Sequence, residues 1–323
     1  MANQPLITSM YTADPSAHAF EGKIYVYPSH DRETDIQFND NGDQYDMADY
    51  HVFSMDSITG PVTDHGVVLK MEDIPWVSKQ LWAPDAATKN GKYYLYFPAR
   101  DKEGIFRIGV AVSDVPQGPF KPEPTPIAGS FTIDPATFVD DDGEAYLYFG
   151  GLWGGQLQCW TTGEFDASKS GPQEPSGDVP ALLPRVGRLT DDMLNFADDV
   201  KELSIVDAEG KPIMADDHDR RFFEAAWMHK YNGKYYFSYS TGDTHYIVYA
   251  TGDSPLGPFT YQGRILEPVV GWTTHHSIVE FKEKWYLFYH DSSLSGGVSH
   301  LRSVKAREIV YDAEGKISLA GDA

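Results

Sequence analysis

The stretch Arg221–Gly242 reads RFFEAAWMHKYNGKYYFSYSTG and decides the fold. It places Glu224 among aromatic and small residues, and then passes through Tyr231-Asn232-Gly233 into the aromatic segment Lys234–Ser240. Asn-Gly between two apolar runs is the strongest short-range signal of a β-hairpin. The stretch therefore predicts two antiparallel strands joined by a tight turn.

Four further segments of the chain repeat this pattern. They read ADPSAHAFEGKIYVYPS from Ala13, APDAATKNGKYYLYFPA from Ala83, IDPATFVDDDGEAYLYFGG from Ile133 and TTHHSIVEFKEKWYLFYHD from Thr273. Each predicts a short strand, a turn and an aromatic strand. Repeats of this length that contain strands are typical of propellers and solenoids. Because the turns are unevenly spaced, by about 50 to 90 residues, we expect insertions of different length between them.

The repeats predict an all-β fold, a five-bladed β-propeller. In a propeller the first strand of each blade lines a central channel. A polar residue precedes each turn, and we expect these five to approach one mouth of the channel: Asp14, Asp85, Asp134, Glu224 and His275. Gly-Pro turn signals in Val112–Phe120, Thr251–Phe259 and Phe53–Pro61 predict the connections between third and fourth strands.

Composition limits the class of protein. The repeats fill nearly all of the 323 residues, which favours a single propeller domain over 1–323 without an appended β-sandwich. The formal charge of −22 argues against nucleic acid or an anionic membrane surface as a partner. No apolar stretch is long enough to span a membrane. Met1–Met10 shows no signal peptide, so we expect a cytoplasmic protein, or a secreted one whose leader has been removed. The lone cysteine, Cys159, is expected to be a buried, inert thiol.

The carboxylates before the turns favour carbohydrate hydrolysis. Glycosidases use one carboxylic acid to protonate the leaving oxygen and one carboxylate to activate water or attack carbon. The apolar neighbours of Glu224, among them Phe223, should raise its pKa, as a general acid requires. Asp14 and Asp134 each precede a proline, which places a carboxylate near a turn. Arg302 is a candidate channel cation that either holds one aspartate ionised or binds substrate hydroxyls.

Aromatic residues supply candidate sugar contacts. Trp82 directly precedes Ala83-Pro84-Asp85, and Trp76 lies a few residues before it. A tryptophan at a channel mouth offers a flat face to a sugar ring, whereas the alternative is packing between blades. The polar loop Thr34–Asp46 is either a rim or a lid of the site, and we favour a rim. Asp216–Asp219 is interpreted as a solvated loop rather than a metal site.

The ordered set of motifs resembles glycoside hydrolase family 43. The residues that carry the resemblance are Asp14-Pro15, Trp82-Ala83-Pro84-Asp85, Ile133-Asp134-Pro135, Phe223-Glu224-Ala225 and His275-His276-Ser277, and together they cover essentially the whole chain. That family consists of five-bladed, inverting enzymes acting on xylans and arabinans. By this resemblance Asp14 is the general base, Glu224 the general acid, and Asp134 the residue that tunes the acid's pKa and orients it.

The resemblance also implies a metal and substrate contacts. His275 is similar to the histidine that, in many family members, ligates a hydrated divalent cation, usually Ca²⁺, in the channel. Because Ca²⁺ prefers oxygen ligands, waters would have to complete the shell around one imidazole. His276 is the alternative ligand. Arg302 resembles the arginine that contacts substrate, and Trp82, Trp76 and Phe223 are the aromatic candidates.

The leading expectation is an inverting exo-β-xylosidase that acts on β-1,4-xylo-oligosaccharides and also accepts α-L-arabinofuranosides. Its alternatives are an α-L-arabinofuranosidase that removes side chains from arabinoxylan or arabinan, and an endo-arabinanase. From another class, the chain would be a non-catalytic sugar-binding propeller, which need not keep acid, base and modulator together. An inverting mechanism predicts that the carboxyl groups of Asp14 and Glu224 lie about 6.5–9.5 Å apart.

Overall fold

Hairpins from the repeated segments form five β-sheets, in which antiparallel pairing predominates. The computed structural model describes residues 4–321, so the outermost residues of the predicted domain, 1–3 and 322–323, lie outside the described part. The first sheet contains β1 (Tyr11–Phe20), β2 (Lys23–Asp31), β3 (Asp49–Met55) and β4 (Thr63–Lys70). The second contains β5 (Val77–Lys79), β6 (Asp85–Lys89), β7 (Lys92–Asp101), β8 (Phe106–Ser113) and β9 (Lys121–Pro122).

The remaining three sheets follow in chain order. The third contains β10 (Ala136–Val139), β11 (Ala145–Phe149), β12 (Arg185–Arg188) and β13 (Lys201–Glu202). The fourth contains β14 (Ile205–Val206), β15 (Glu224–Tyr231), β16 (Lys234–Ser240), β17 (Ile247–Gly252) and β18 (Phe259–Leu266). The fifth contains β19 (His276–Phe281), β20 (Lys284–Asp291), β21 (Ser303–Tyr311) and β22 (Ile317–Leu319).

Helical structure is confined to single turns. The 3₁₀ segments are Met71–Asp73, Trp153–Gly155, Leu157–Trp160, Ala167–Lys169 and Gly242–Thr244. Residues 4–321 contain no α-helix. Within that range no helix is long and apolar enough to cross a membrane.

The innermost strands form a closed ring. Strand β1 contacts β6, β6 contacts β10, β10 contacts β15, β15 contacts β19, and β19 returns to β1. The ring is closed by the N-terminal segment, whose Leu6 N–H donates to the Val304 carbonyl at 2.8 Å. Thr12 N–H donates to the Arg302 carbonyl at 2.9 Å. The predicted five-bladed β-propeller is confirmed.

The turn chemistry explains why the hairpins form at these positions. In the hairpin of β15 and β16, Asn232 and Gly233 have φ of 48° and 76°. Two consecutive positive φ angles give the turn a twist that matches the strands, and Asn-Gly adopts them readily. The Gly-Pro segments Val112–Phe120, Thr251–Phe259 and Phe53–Pro61 connect third to fourth strands, as predicted.

Apolar side chains from adjacent blades pack between the sheets. The largest cluster joins the third, fourth and fifth blades through residues such as Tyr148, Phe237 and Leu287. A smaller cluster joins the first and fifth blades, with Ile7, Val26 and Val304 among its members. These clusters fix the blades around the channel, and so they position the residues at its mouth.

Candidate active site

A pocket lies at one mouth of the channel and brings together the predicted polar residues. Asp14, Asp134, Glu224, His275 and Arg302 all line it. The space between the lining atoms is about 630 Å³ and opens to solvent. Residues from all five blades or their connecting loops contribute to its wall. The pocket is therefore the place where residues distant in sequence can act on one ligand.

Backbone irregularities aim the carboxylates of the first and fourth blades. Asp14 has φ of 49°, and the register of β1 with β2 shifts between Ala13 and Ser16. Ala225, next to Glu224, has φ of 61°, and the register of β15 with β16 shifts before Trp227. β-Bulges of this kind bend a strand and redirect a side chain, and they are frequent near active sites. Positive φ in non-glycine residues is a cost that such sites tolerate.

Asp14 is held as a carboxylate. Burial alone would raise its pKa, but Arg302, the neighbouring imidazoles and the Ser29 hydroxyl outweigh burial and lower the pKa to about 2. The Arg302 Nη1 atom lies 3.0 Å from Asp14 Oδ1, and Ser29 Oγ donates to Asp14 Oδ2. At neutral pH Asp14 is therefore ionised and able to accept a proton.

Arg302 is itself fixed by a second carboxylate. Its Nε and Nη2 atoms donate to the two oxygens of Asp31 at 2.8 and 2.7 Å, a bidentate pair. The guanidinium carbon lies 4.9 Å from the centre of the Tyr45 ring. Burial alone would lower the pKa of Arg302, but Asp14 and Asp31 raise it. Of the two predicted roles, the contacts favour holding an aspartate ionised, and Arg302 also lines the pocket.

Glu224 is held as a carboxylic acid. Burial and the negative charge of Asp14 raise its pKa to about 8, although Arg302 acts in the opposite direction. Glu224 is the first residue of β15, and its neighbours Ala225 and Ala226 are buried. The apolar sequence around Glu224 predicted a raised pKa, in agreement with this direction. At neutral pH Glu224 carries a proton that it can donate.

Asp134 interacts with the predicted general acid, Glu224, through charge and through the adjacent backbone. Burial raises its pKa, and so does the nearby carboxyl group of Glu224, because the two negative charges repel each other. The N–H of Ala225 donates to Asp134 Oδ2 at 2.7 Å, which favours the ionised form of Asp134. The ionisation of Asp134 is therefore coupled to that of Glu224, because a charge on either carboxyl group disfavours a charge on the other. The same hydrogen bond fixes the backbone next to Glu224, and so it orients the acid.

His275 faces the pocket, whereas His276 does not. The Nδ1 atom of His275 lies 3.7 Å from Asp14 Oδ1 and 3.7 Å from Asp134 Oδ2. Burial lowers the pKa of His275 to about 4, so its imidazole is neutral at neutral pH. His276 is fully buried behind it, and its Nε2 lies 2.6 Å from Ser238 Oγ. Of the two predicted metal ligands, only His275 has access to the pocket.

The residues present fit a divalent cation held through His275. Its ring forms no hydrogen bond within residues 4–321, and a neutral imidazole has a lone pair to offer. The carboxyl groups of Asp14 and Asp134 supply negative charge on the same side of the pocket. Because their oxygens are engaged by Arg302 and Ala225, waters would complete the ligand shell of such an ion.

The predicted aromatic contacts divide into two groups. Trp82 and Phe223 line the pocket. The Trp82 ring is braced 4.6 Å from the Phe106 ring, and its Nε1 donates to the Tyr45 carbonyl at 2.8 Å. Phe223 is almost fully buried beneath Trp153, with ring centres 5.3 Å apart. Sugar contact by Trp82 and Phe223 stays a prediction.

Trp76 does not lie where a sugar contact was predicted. Trp76 lies outside the pocket, where its ring is stacked on Phe97 at 6.0 Å and packs over Gly109. Gly109 leaves room for the indole, because a β-carbon there would lie 2.7 Å from the Trp76 ring. Packing in the core of the second blade therefore accounts for Trp76.

Asp85 also departs from its expected place. It is buried in the wall of the channel and does not line the pocket. It accepts hydrogen bonds from His18 at 2.8 Å, from the Ser16 hydroxyl and from the Thr137 N–H. Asp85 thus joins the innermost strands of three blades, β1, β6 and β10. A polar residue at the matching position of a repeat is insufficient to place it at the mouth.

Two loops enclose one side of the pocket. The loop Thr34–Asp46 contributes Phe38 and Gly42 to the wall, as expected for a rim. Arg100 Nη2 donates to the carbonyls of Asn41 and Gly154, each at 3.3 Å. Arg100 therefore ties this loop to the loop that follows β11. The tie holds the two loops together on one side of the pocket.

Several residues of the site were missed by sequence reasoning. They are Asp31, Tyr45, Trp153, Trp272, Thr273 and His290. His290 accepts from the Asp14 N–H through Nδ1 at 2.9 Å, and its Nε2 lies 3.0 Å from the Thr273 carbonyl. This arrangement places the His290 proton on Nε2. Of these residues only Asp31 had a sequence signal that could have indicated a role in the site, since it ends the second strand of the first repeat beside Asp14.

The remaining polar candidates have structural roles. In the Asp216–Asp219 loop, Asp217 pairs with Arg220 and Asp219 pairs with Arg264. The carboxylates thus face separate partners rather than one ion. Cys159 is buried, and burial raises the pKa of its thiol. Both observations agree with the predicted solvated loop and inert thiol.

Comparisons with known proteins were consistent with this site. Residues 3–169 and 186–317 match the sequence profile of glycosyl hydrolases family 43. The chain is 77% identical over 319 residues to xylosidase/arabinosidase 43A of Humicola insolens, covering 97% of this chain and 98% of that protein.

Two solved structures are similar over almost the whole chain. One is CoXyl43, a family 43 β-xylosidase/α-arabinofuranosidase from a compost microbial metagenome, in complex with xylotriose and in a calcium-free form. It is 67% identical with a TM-score of 0.96, covering 98% of this chain and 97% of that chain. The other is an enzyme of Xanthomonas citri complexed with xylotriose, 55% identical with a TM-score of 0.92 and covering 99% and 95% of the two chains.

Proposed function

The chain belongs to glycosyl hydrolase family 43 and is a glycoside hydrolase of the xylosidase/arabinosidase type, and we propose that it removes terminal xylose from β-1,4-xylo-oligosaccharides with inversion. We extend the proposal to the release of arabinose from α-L-arabinofuranosides, because similar enzymes are named for action on both sugars. The observation that carries it is one pocket holding an ionised Asp14 and a protonated Glu224.

The two carboxyl groups take opposite roles in this reaction. Glu224 donates its proton to the glycosidic oxygen as the bond to the anomeric carbon breaks. Asp14 accepts a proton from a water that attacks the opposite face of the sugar, so the configuration inverts. A separation of about 6.5–9.5 Å between the two groups would leave room for that water. Asp134 orients Glu224 through its hydrogen bond with the Ala225 N–H.

His275 is proposed to hold a divalent cation, with Ca²⁺ the leading candidate. A calcium-free form of a similar enzyme has been described, which supports calcium as a ligand of that protein. When bound, the ion would supply positive charge beside Asp14 and Asp134. His275 itself would orient the ion and remain neutral, because burial keeps its pKa low.

Action at the chain end is favoured by the tie between the two pocket loops. Arg100 bridges Asn41 and Gly154, so the two loops are held together on that side of the pocket. The bridge therefore supports an exo mode of attack over the endo-arabinanase alternative. Xylo-oligosaccharides are the proposed partners, and similar structures hold xylotriose and xylose.

Proton NMR of xylobiose during early hydrolysis tests the proposal. Inversion at a β-xylosidic bond releases α-xylose first, whereas retention releases β-xylose. The assay is run with chelated enzyme, with and without added Ca²⁺, and lower turnover after chelation would support the cation at His275. Untouched xylobiose would overturn the xylosidase proposal, and p-nitrophenyl arabinofuranoside would then be tested.

A Glu224→Ala variant separates catalysis from binding alone. We expect it to bind xylotriose and to lose turnover. A non-catalytic sugar-binding protein would show no turnover in the unsubstituted chain, which would remove the enzyme proposal altogether.

A further inference from the structure

A second cluster of potential metal ligands lies away from the active-site pocket. His30 is near the end of β2, and Asp49 and His51 are on the adjacent strand β3. Their ligand atoms all lie within 4.8 Å of one another. None of the three residues lines the pocket. The cluster is therefore distinct from the site of His275.

The strand pairing explains why these three side chains meet. Ser29 pairs with Tyr50, which places His30 opposite Asp49. His51 follows Asp49 by two positions, so both side chains project from the same face of β3. The rings of His30 and His51 meet edge to face with centres 5.1 Å apart. A rigid pair of strands thus presents two imidazoles and one carboxylate together.

The nitrogen atoms are suitably disposed toward Asp49. His30 Nδ1 lies 2.6 Å from Asp49 Oδ1, and His51 Nε2 lies 4.0 Å from the same oxygen. An ion with bonds of about 2.0–2.2 Å separates its ligand atoms by roughly 3 Å in tetrahedral geometry. A small rotation of the His30 ring away from Asp49 and of the His51 ring toward it would bring both nitrogens to that spacing.

A further carboxylate fixes the tautomer of His51. Asp64 on β4 lies 3.0 Å from His51 Nδ1, so that nitrogen carries the proton and donates it. The Nε2 lone pair is consequently free and points toward Asp49. Metal-binding histidines almost always donate their other N–H to a carboxylate, carbonyl or water, and this contact orients the ring. The arrangement of His51 and Asp64 matches that pattern.

Access and local charge are also compatible with an ion. The side chains of His30 and Asp49 are 25% and 27% exposed, so an ion can enter from solvent. The nearby cation Arg32 is paired with Asp46 at 2.6 Å, which reduces its repulsion. Hydrogen bonding to Asp49 raises the pKa of His30, so protons compete with a metal ion for His30 Nδ1.

We propose that His30, Asp49 and His51 form a binding site for a first-row transition-metal ion of the Zn²⁺ class, with Asp64 as the carboxylate that orients His51. Two imidazoles and one carboxylate favour such ions over Ca²⁺, which prefers oxygen ligands. Water takes the remaining position. The inference does not depend on the proposed glycosidase function.

Titration with Zn²⁺ tests the site, using the whole chain after chelation and with Ca²⁺ present to occupy the pocket. We expect one equivalent to bind, and Co²⁺ to give a visible absorption band that Zn²⁺ removes. Binding should weaken at pH 6 relative to pH 7.5, because metal replaces a proton on His30. Failure of the unsubstituted chain to bind Zn²⁺ or Co²⁺ stoichiometrically would overturn the proposal.

Variants locate the ion. We expect His51→Ala and His30→Gln to abolish the Co²⁺ band, and Asp64→Asn to weaken binding by about 10–100-fold. His65→Ala, a nearby surface change, and His275→Ala, in the pocket, should leave binding unchanged. Circular dichroism checks that each variant is folded. Loss of binding in His275→Ala, or its retention in both His51→Ala and His30→Gln, would place the ion elsewhere.

Discussion

Asp14 and Glu224 are both buried carboxyl groups, yet their surroundings shift their pKa values in opposite directions. Arg302 lies 3.0 Å from Asp14, whereas Glu224 starts a strand among buried alanines. Two groups with pKa values of about 2 and about 8 are an acid and a base ready for use at neutral pH. One environment thus serves proton donation and the other proton acceptance.

The pH profile of kcat/KM follows from these values. Asp14 must be ionised and Glu224 protonated, so kcat/KM should fall below about pH 2 and above about pH 8. In Asp134→Asn the two neighbouring carboxyl groups can no longer repel each other, so the alkaline fall should move to lower pH. Initial rates on p-nitrophenyl xyloside across pH 4–10 measure the shift. An alkaline limb that stays in place in Asp134→Asn would contradict the coupling.

Glu224 should also cost stability at alkaline pH. Its pKa is raised on folding from 4.5 to about 8, so between these values the folded chain binds a proton that the unfolded chain has released. Stability therefore declines as pH rises through this window. Glu224→Gln does not titrate, and its melting temperature should exceed that of the unsubstituted chain by several degrees at pH 8.

The comparison is made by calorimetry at two pH values. At pH 4 both Glu224 and its unfolded counterpart are mostly protonated, so the two melting temperatures should nearly coincide. An equal difference at pH 4 and pH 8 would mean that Glu224→Gln acts through packing rather than through ionisation.

The carboxyl groups and Arg302 were predictable from the sequence, but Asp31, which fixes Arg302, was not. Asp14, Asp134 and Glu224 occupy matching places in a repeat, so their convergence was predictable. Asp31 is 271 positions from Arg302 along the chain, and the pair forms only when the first and last blades meet. Trp82 directly precedes the motif and Trp76 lies six residues before Trp82, and only packing distinguishes core from pocket.

At the scale of elements, the hairpins were predictable and the bulges were not. Asn-Gly and related turns mark strand ends directly, because few residues adopt positive φ easily. The register shifts at Asp14 and Glu224 carry no such marker, since Asp-Pro-Ser and Glu-Ala-Ala occur in many contexts. The elements of the fold are encoded locally, whereas the aim of the catalytic side chains depends on neighbouring strands.

Gly154 controls the contact between the two pocket loops. A β-carbon at Gly154 would lie 2.7 Å from the Asn41 carbonyl oxygen, too close for either loop to keep its place. We expect Gly154→Ala to separate the loops, to lower kcat/KM on xylobiose about tenfold or more and to affect longer oligosaccharides less. Rates on xylobiose to xylohexaose measure this change in chain-length preference.

Asn41→Ala is the matched control for Gly154→Ala. It removes the side chain and leaves the carbonyl in contact, so its chain-length preference should be unchanged. A Gly154→Ala enzyme with unaltered preference would argue that the tie between the loops does not limit substrate length.

At the scale of the whole molecule, the N-terminal segment fastens the first blade to the fifth. Ile7 is buried in the cluster that contains Val304, and Leu6 bonds to the Val304 carbonyl. We expect Ile7→Ala to cost about 2–5 kcal/mol of unfolding free energy, because it leaves a cavity at the closure. Urea denaturation measures the loss.

Ile36→Ala is the control for the closure experiment. Ile36 is 41% exposed, and its replacement should change stability by less than about 0.5 kcal/mol. If Ile7→Ala costs no more than Ile36→Ala, the N-terminal segment does not hold the ring. The number of blades was predictable from the count of repeats, but this fastening was not, because Met1–Met10 has no repeat pattern.

The position of Arg302 makes catalytic turnover depend on the closure of the ring of blades. Its carbonyl accepts from Thr12, its backbone N–H donates to Asp31, and its guanidinium reaches Asp14. These three contacts all cross from the last blade to the first. A chain with five formed sheets and an open seam would have normal strand content and an Asp14 without its cation. During refolding, recovery of activity should therefore lag behind the far-ultraviolet circular dichroism signal. Closure between the last and first blades would then be the step that converts a chain with formed strands into an active enzyme.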